Sequence, residues 1–286
     1  MTSTVVARIP RDVVIVSGPD ATSFLQSLLS QDLDPVEVGD VTHALLLEPR
    51  GKLVVDLRAL RVAPDEWWCV CEGGFGTALA QGLTRFRIRV KVEIDDRSAG
   101  LVALSVHGAD AVDLAGMAQG VTAVRIDWAD EPGVELLGTP AAIEAARVAL
   151  TAASADEIDD AAYETRRVEA GIPRQGYDID ESTIAQEAFL ERDAVSFTKG
   201  CFLGQELVCR IDSRGHVNRL LRRLRSDAPL ARGAVIMADG KEVGAVTSAA
   251  GTVALATIRR AVEPGGDVLV RTPSGDVNAR VEAVER

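Results

Sequence analysis

Phe197-Thr198-Lys199-Gly200-Cys201-Phe202-Leu203-Gly204-Gln205-Glu206 packs a thiol, an ammonium, two glycines, an amide and a carboxylate into the eight residues from Lys199 to Glu206. A segment that only fills a core has no need of so many polar and backbone-permissive groups. Gly200 and Gly204 allow tight turning and close approach by a ligand or a second backbone. A turn at Gly200 and a helix entered near Phe202 would put Cys201 at a helix N-terminus beside Lys199. Both neighbours favour the thiolate, the form in which a cysteine reacts. The alternative is a small buried hydrophobe, the usual fate of a free cysteine.

Working outward, the chain reads as strand–turn–helix phrases followed by a β-rich tail. Residues 13–16 form a buried strand, and Ser17-Gly18-Pro19-Asp20 turns it into a helix striped by Phe24, Leu25, Leu28 and Leu29, with Asp20 as cap. His107-Gly108-Ala109-Asp110-Ala111 echoes Ser17-Gly18-Pro19-Asp20-Ala21 after an apolar run over 101–106, which points to two related α+β units. Between them, strands are expected over 44–47, 53–60, 67–71 and 86–94, with a turn at 49–51 and a helix over 76–83. Thr139 caps and Pro140 opens a helix running to 150. A second helix covers 159–170 and stops at Gly171. After Asn218, β-rich runs at 234–237, 243–247, 253–258, 268–271 and 277–284 alternate with glycine turns, the pattern of a small barrel. The expected organisation is an α+β region over 1–218, built of two units, and a barrel over 219–286.

A chain of 286 residues can bury a sizeable core, and no run approaches the ~20 apolar residues that cross a bilayer. The first twelve residues lack the apolar region of a signal peptide, and four cysteines make no disulfide framework, so a reducing cytoplasm is expected. A net charge of −12 argues against generic binding to nucleic acid. Local exceptions stand out. Arg85, Arg87, Arg89 and Lys91 alternate with apolar residues, as in a strand with one basic face. Lys199, Arg210, Arg214, Arg219, Arg222, Arg223 and Arg225 face only Glu206 and Asp212, a solvated stripe or the lining of a cleft for a small polyanion. No metal site is expected, because His43, His107 and His216 are scattered and Cys69-Val70-Cys71 reads as core filling on one strand face. No nucleophile elbow or phosphate-binding glycine loop occurs, and His216 is the one candidate partner for a Cys201–His pair.

Glu169 is placed in the last turn of the helix over 159–170, where the dipole disfavours a carboxylate. Such a penalty suits a group with a task elsewhere, for instance accepting the paired N–H donors of an amino-pyrimidine edge. An ion pair with Arg166 or Arg167 is the plainer alternative.

Arg167-Val-Glu-Ala-Gly-Ile-Pro-Arg-Gln-Gly-Tyr-Asp-Ile-Asp180-Glu181, then Gln186-Glu187-Ala188, Lys199-Gly-Cys-Phe-Leu-Gly-Gln-Glu206 and Arg214-Gly-His-Val-Asn-Arg219 together resemble the YgfZ family. Its members are folate-binding proteins related to the glycine-cleavage T-protein, an aminomethyltransferase. Gly18-Pro-Asp-Ala21, Phe24-Leu-Gln26 and Pro49-Arg-Gly-Lys-Leu-Val-Val-Asp56 extend the resemblance over essentially the whole chain. It implies a T-protein-like multidomain ring around a folate site, with the C-terminal barrel closing it. It also implies tetrahydrofolate or another reduced folate as cofactor, a part in assembling or maintaining iron–sulfur enzymes, and an indirect effect on tRNA modification. By the same resemblance Glu169 holds the pterin, Asp56 stands beside the T-protein's paired aspartates, and Arg167 belongs to the cofactor-binding motif. Lys199 and Cys201 match the branch motif, with Cys201 as the functional thiol. Val55-Asp56 replaces two acids of the T-protein, which counts against aminomethyl transfer.

The leading expectation is a folate-binding accessory protein for iron–sulfur enzymes, monomeric, with iron–sulfur client or assembly proteins as partners and no grip on nucleic acid or membrane. The alternatives are a tetrahydrofolate-dependent aminomethyl or one-carbon transferase using Asp56, and an interaction scaffold with a vestigial folate pocket.

Overall fold

A computed structural model describes residues 3–128, 131–273 and 275–284. Two compact units divide the chain, Met1–Asp160 with Asp193–Glu206, and Ala161–Arg192 with Leu207–Arg286. Among the described residues no helix is long and apolar enough to cross a membrane.

The first unit holds strands β1 Val5–Ile9, β2 Arg11–Ser17, β3 Val41–Leu47, β4 Leu53–Ala63, β5 Glu66–Glu72, β6 Glu93–Asp96, β7 Val102–His107, β8 Thr122–Arg125, β9 Gly133–Gly138 and β10 Asp156–Glu157. Its helices are α1 Ala21–Leu28, α2 Gly76–Thr84, α3 Ala111–Ala115 and α4 Pro140–Ala152. One sheet has the order β3-β4-β5-β2-β6 and the other β10-β1-β7-β9-β8. The first packs Val14, Val16, Leu57, Cys69 and Cys71 against Phe24, Leu25 and Leu28 of α1 and Leu79 and Leu83 of α2, so the CxC pair is core filling as expected. The second packs Leu104, Val106 and Leu136 against Ala111 of α3 and Ile143, Ala146 and Leu150 of α4. Arg11 of β2 ties the two sheets by gripping Glu135 of β9 with two N–H groups at 2.9 and 2.7 Å. Glu135 is 1% exposed, so the pair lies in a low-dielectric setting where each charge depends on the other.

The echoed phrase folds the same way twice. Gly18 has φ +123° and Gly108 φ +139°. A Cβ on Gly18 would lie 2.3 Å from the Lys91 carbonyl oxygen, and one on Gly108 would lie 2.6 Å from the Thr4 Cα. Only glycine meets both demands. Asp20 does not cap α1. Its carboxylate accepts the Lys91 N–H at 2.7 Å instead.

Residues 85–92 form no strand, contrary to their alternation. The N–H groups of Arg85, Phe86 and Arg87 bond back to carbonyls of α2, and Arg89 adopts φ +57°, so only Glu93–Asp96 is left to join the sheet as β6.

Helices α5 Asp160–Ala170, α6 Glu191–Ala194 and α7 Gln205–Arg214 precede the barrel strands β11 Arg219–Ser226, β12 Val235–Ala238, β13 Lys241–Ala250, β14 Val253–Arg259, β15 Asp267–Thr272 and β16 Gly275–Glu282. The six strands close in the order β11-β14-β13-β12-β15-β16. Five of them follow the expected β-rich runs. The sixth, β11, hides in an arginine-rich sequence whose Leu224 fills the barrel core. Full closure leaves no free strand edge.

Candidate functional site

The segment that carries Lys199 and Cys201 is fastened to the end of α1. Ser30 is the first anchor: its hydroxyl donates to the Ala194 carbonyl and accepts the Leu45 N–H at 2.8 Å, while its own carbonyl accepts the Ser196 N–H at 3.0 Å. Gln31 Nε2 donates to the Asp193 carbonyl at 2.7 Å. Lys199 Nζ then donates to the carbonyls of Gln26, Leu29 and Gln31 at 2.7, 2.8 and 2.8 Å. Three donors meet three acceptors, and the cation sits where the helix dipole favours it. Burial lowers the Lys199 pKa to about 8, with Asp32 and Asp34 opposing in part.

This geometry corrects the expected setting of Cys201. The ammonium is spent on backbone carbonyls, and α7 starts at Gln205 rather than near Phe202. Gly204 explains the later start. It has φ +80°, and a Cβ there would lie 2.5 Å from the Glu48 carbonyl oxygen. The chain must turn at Gly204 before it can wind into a helix. Cys201 therefore lies in exposed, irregular backbone.

Asp56 projects from β4, and its Oδ1 bonds His43 Nε2 from β3, a histidine that stands alone in the sequence. Register explains the pairing: His43 faces Arg58, one step diagonal from Asp56 on the same sheet face. His43 is buried, and its Nδ1 lies 3.8 Å from Asp193 Oδ2, at the start of the motif segment. No local signal flags it, because every position from His43 to Leu47 is buried and the strand shows no alternation there. Val55 points the other way, fully buried among the helices' apolar side chains, where a second carboxylate would be desolvated.

In the second unit, Glu169 stands in the last turn of α5 and is exposed. Its carboxylate takes no hydrogen bond or ion pair from any described residue, so the ion pair with Arg166 or Arg167 does not form. Its backbone is fixed, with the carbonyl accepting from Arg223 Nη1 at 2.5 Å. Arg167, expected at the ligand, is buried and gives all five N–H donors to protein groups. They reach Glu164, the Ile172 carbonyl, Asp178 at 2.9 Å and Ser248 Oγ at 2.8 Å. Burial works against its charge, but Glu164 and Asp178 outweigh that and hold the guanidinium above its usual pKa. Asp178 also accepts from Thr247 of β13 at 2.5 Å. Arg167 thus anchors α5 to the barrel. Gly171, at φ +75°, ends the helix as expected.

Comparison with known proteins gives these residues a context. The family model described as GCVT N-terminal domain matches residues 12–120, and the one described as CAF17, C-terminal beta-barrel domain matches 219–283. The structure of the glycine cleavage system aminomethyltransferase T from Bartonella henselae superposes with a TM-score of 0.87 at 22% identity, covering 99% of this chain and 86% of that one, so the fold is that of the T-protein. An aminomethyltransferase of Herpetosiphon aurantiacus is 27% identical over 82% of this chain and 70% of its own. The mitochondrial iron-sulfur cluster assembly factor IBA57 homolog of Mycosarcoma maydis is 27% identical over 74% of this chain and 55% of its own. The tRNA-modifying protein YgfZ of Edwardsiella ictaluri is 32% identical over 74% of this chain and 68% of its own. With that identity sustained across more than two thirds of both sequences, the chain belongs to the YgfZ family.

Proposed function

We propose that the chain is a tetrahydrofolate-binding accessory factor for assembly or maintenance of iron–sulfur proteins, acting in the cytoplasm and affecting tRNA modification only through such a protein. The observation that carries the folate reading is Glu169, a carboxylate with no partner among the described residues, on a backbone held by Arg223 and a helix braced by Arg167. A carboxylate so placed suits the paired N–H donors of an amino-pyrimidine edge. A bound reduced folate would supply one-carbon chemistry, with Glu169 orienting its ring. The iron–sulfur role rests on the iron-sulfur cluster assembly and tRNA-modifying functions for which those relatives are named, and on Cys201, an exposed thiol on a loop stapled by Lys199. Buried Val55 in place of a second acid weighs against aminomethyl transfer.

Tetrahydrofolate titration of the purified protein, followed by tryptophan fluorescence and calorimetry, tests the first half. Saturable binding weakened at least tenfold in E169Q is expected, and no binding by the wild type overturns it. C201S should bind folate normally yet fail to rescue a strain lacking the factor, and full rescue removes the thiol from the function.

A further inference from the structure

Among the described residues, one buried barrel arginine has no ion-pair partner. Arg222 of β11 is 7% exposed, and its Nε is buried without a hydrogen-bond partner. No described residue forms an ion pair or hydrogen bond with its side chain. Register sets it opposite Ala256 of β14, which in turn faces Val246 of β13. Arg222 shares its strand face with Leu224, and Leu224, Ala256 and Val246 all belong to the barrel core. The neighbouring Arg223 and Arg225 point outward and clasp Glu282 at 2.8 and 3.2 Å. Glu282 of β16 is thus used on the outer face, and the inner guanidinium has no partner among the described residues.

A guanidinium stays protonated at neutral pH, and burying it uncompensated is costly. Burial pulls the Arg222 pKa down, and the exposed Glu263 opposes this only through space, with no ion pair between them. More positive charge gathers where β11 begins and β14 ends. Arg219 lies directly opposite Arg259, an arrangement of like charges that destabilises a strand pair unless something neutralises it. Arg260 follows at once. These three are exposed, and none is ion-paired among the described residues. Carboxylates are not scarce, since the chain has 43 acidic residues against 31 Lys and Arg.

We propose that the barrel binds a small oxyanion of phosphate or carboxylate chemistry, gripped by the Arg222 guanidinium, while Arg219 and Arg259 on the opposite strand face and Arg260 beyond it add only long-range positive field. The site uses none of the residues assigned to folate, and its test contains no folate.

Thermal unfolding of the full chain is compared in chloride and in inorganic phosphate or acetate at matched ionic strength. A saturable rise of several degrees in one of the two anions is expected, and which anion acts tells phosphate from carboxylate chemistry. R222M should abolish that rise and melt in chloride at or above the wild-type midpoint, because it removes an uncompensated buried charge. R222K, which keeps the charge without the planar fork, should need at least tenfold more anion for half the effect, and it serves should R222M fail to fold. Identical wild-type midpoints in all three salts overturn the site, as does an R222M protein that still responds. An E263Q protein that is destabilised in chloride and no longer responds would mean that Glu263 itself partners Arg222, which also overturns it.

Discussion

Ser17-Gly18-Pro19-Asp20-Ala21 and His107-Gly108-Ala109-Asp110-Ala111 fold alike, yet the halves of the first unit that they open diverge. In both, the glycine takes a positive φ against a neighbouring backbone, and the N–H of the following alanine bonds the glycine carbonyl, at 2.9 Å for Ala21 and 3.1 Å for Ala111. Beyond that the first half receives a remote segment: Lys199 and Ser196 come back to clamp the end of α1. Among the described residues no remote segment clamps α3 in this way, and that helix stops after five residues at Ala115. Its histidine is also differently used. His107 stacks on Trp128 with ring centroids 3.8 Å apart, whereas His43 of the first half bonds Asp56. A shared local phrase fixes a turn, and the chemistry comes from what distant chain is attached to it.

The comparison can be broken or sharpened by mutation. The largest effect is expected where the halves are tied: R11M strands the buried Glu135 charge and should cost about 3–5 kcal/mol in denaturant unfolding. G18A and G108A should each cost about 2–4 kcal/mol, and a tolerated G108A would end the equivalence of the two turns. K199M should cost about 1–3 kcal/mol by freeing the motif loop in the first half alone. Its pH dependence has a definite sign. The folded pKa of about 8 lies below the ordinary 10.5, so unfolding takes up a proton between these values. Wild-type stability should therefore rise relative to K199M as pH climbs from about 8 to 10.5, and a flat difference would sink the assignment. The smallest effect separates the helix starts. T139A removes a real cap on α4 and should cost about 1 kcal/mol, whereas D20A should spare α1 and loosen only the backbone at Lys91.

Much of this fold was legible because its signals are local. The glycine turns, the Thr139-Pro140 helix start, the stop at Gly171 and the period-two runs of the barrel need only a few neighbouring residues. The Arg85–Lys91 alternation misled because the carbonyls ending α2 claim the N–H groups a strand would have used. Strand β11 escaped because its inward positions include an arginine. Sequence offered Glu169, Asp56, Lys199 and Cys201 as candidates, but not what their side chains touch. The carbonyls that hold Lys199 lie 168 to 173 residues away in the chain, and no spacing rule reaches that far. Arg167 shows the same blindness, since only the folded chain reveals that its donors are already taken.

The Cys69–Cys71 strand gives the protein a built-in counter. Burial pushes both thiols up, Cys69 to about 12, so neither offers a thiolate while the sheet is intact. An alkylating reagent added to the native protein should register only Cys201 and Cys209, the two thiols that reach the surface. Each molecule that goes on to take four labels has opened its first sheet, and mass spectrometry would time that event with no dye or tag.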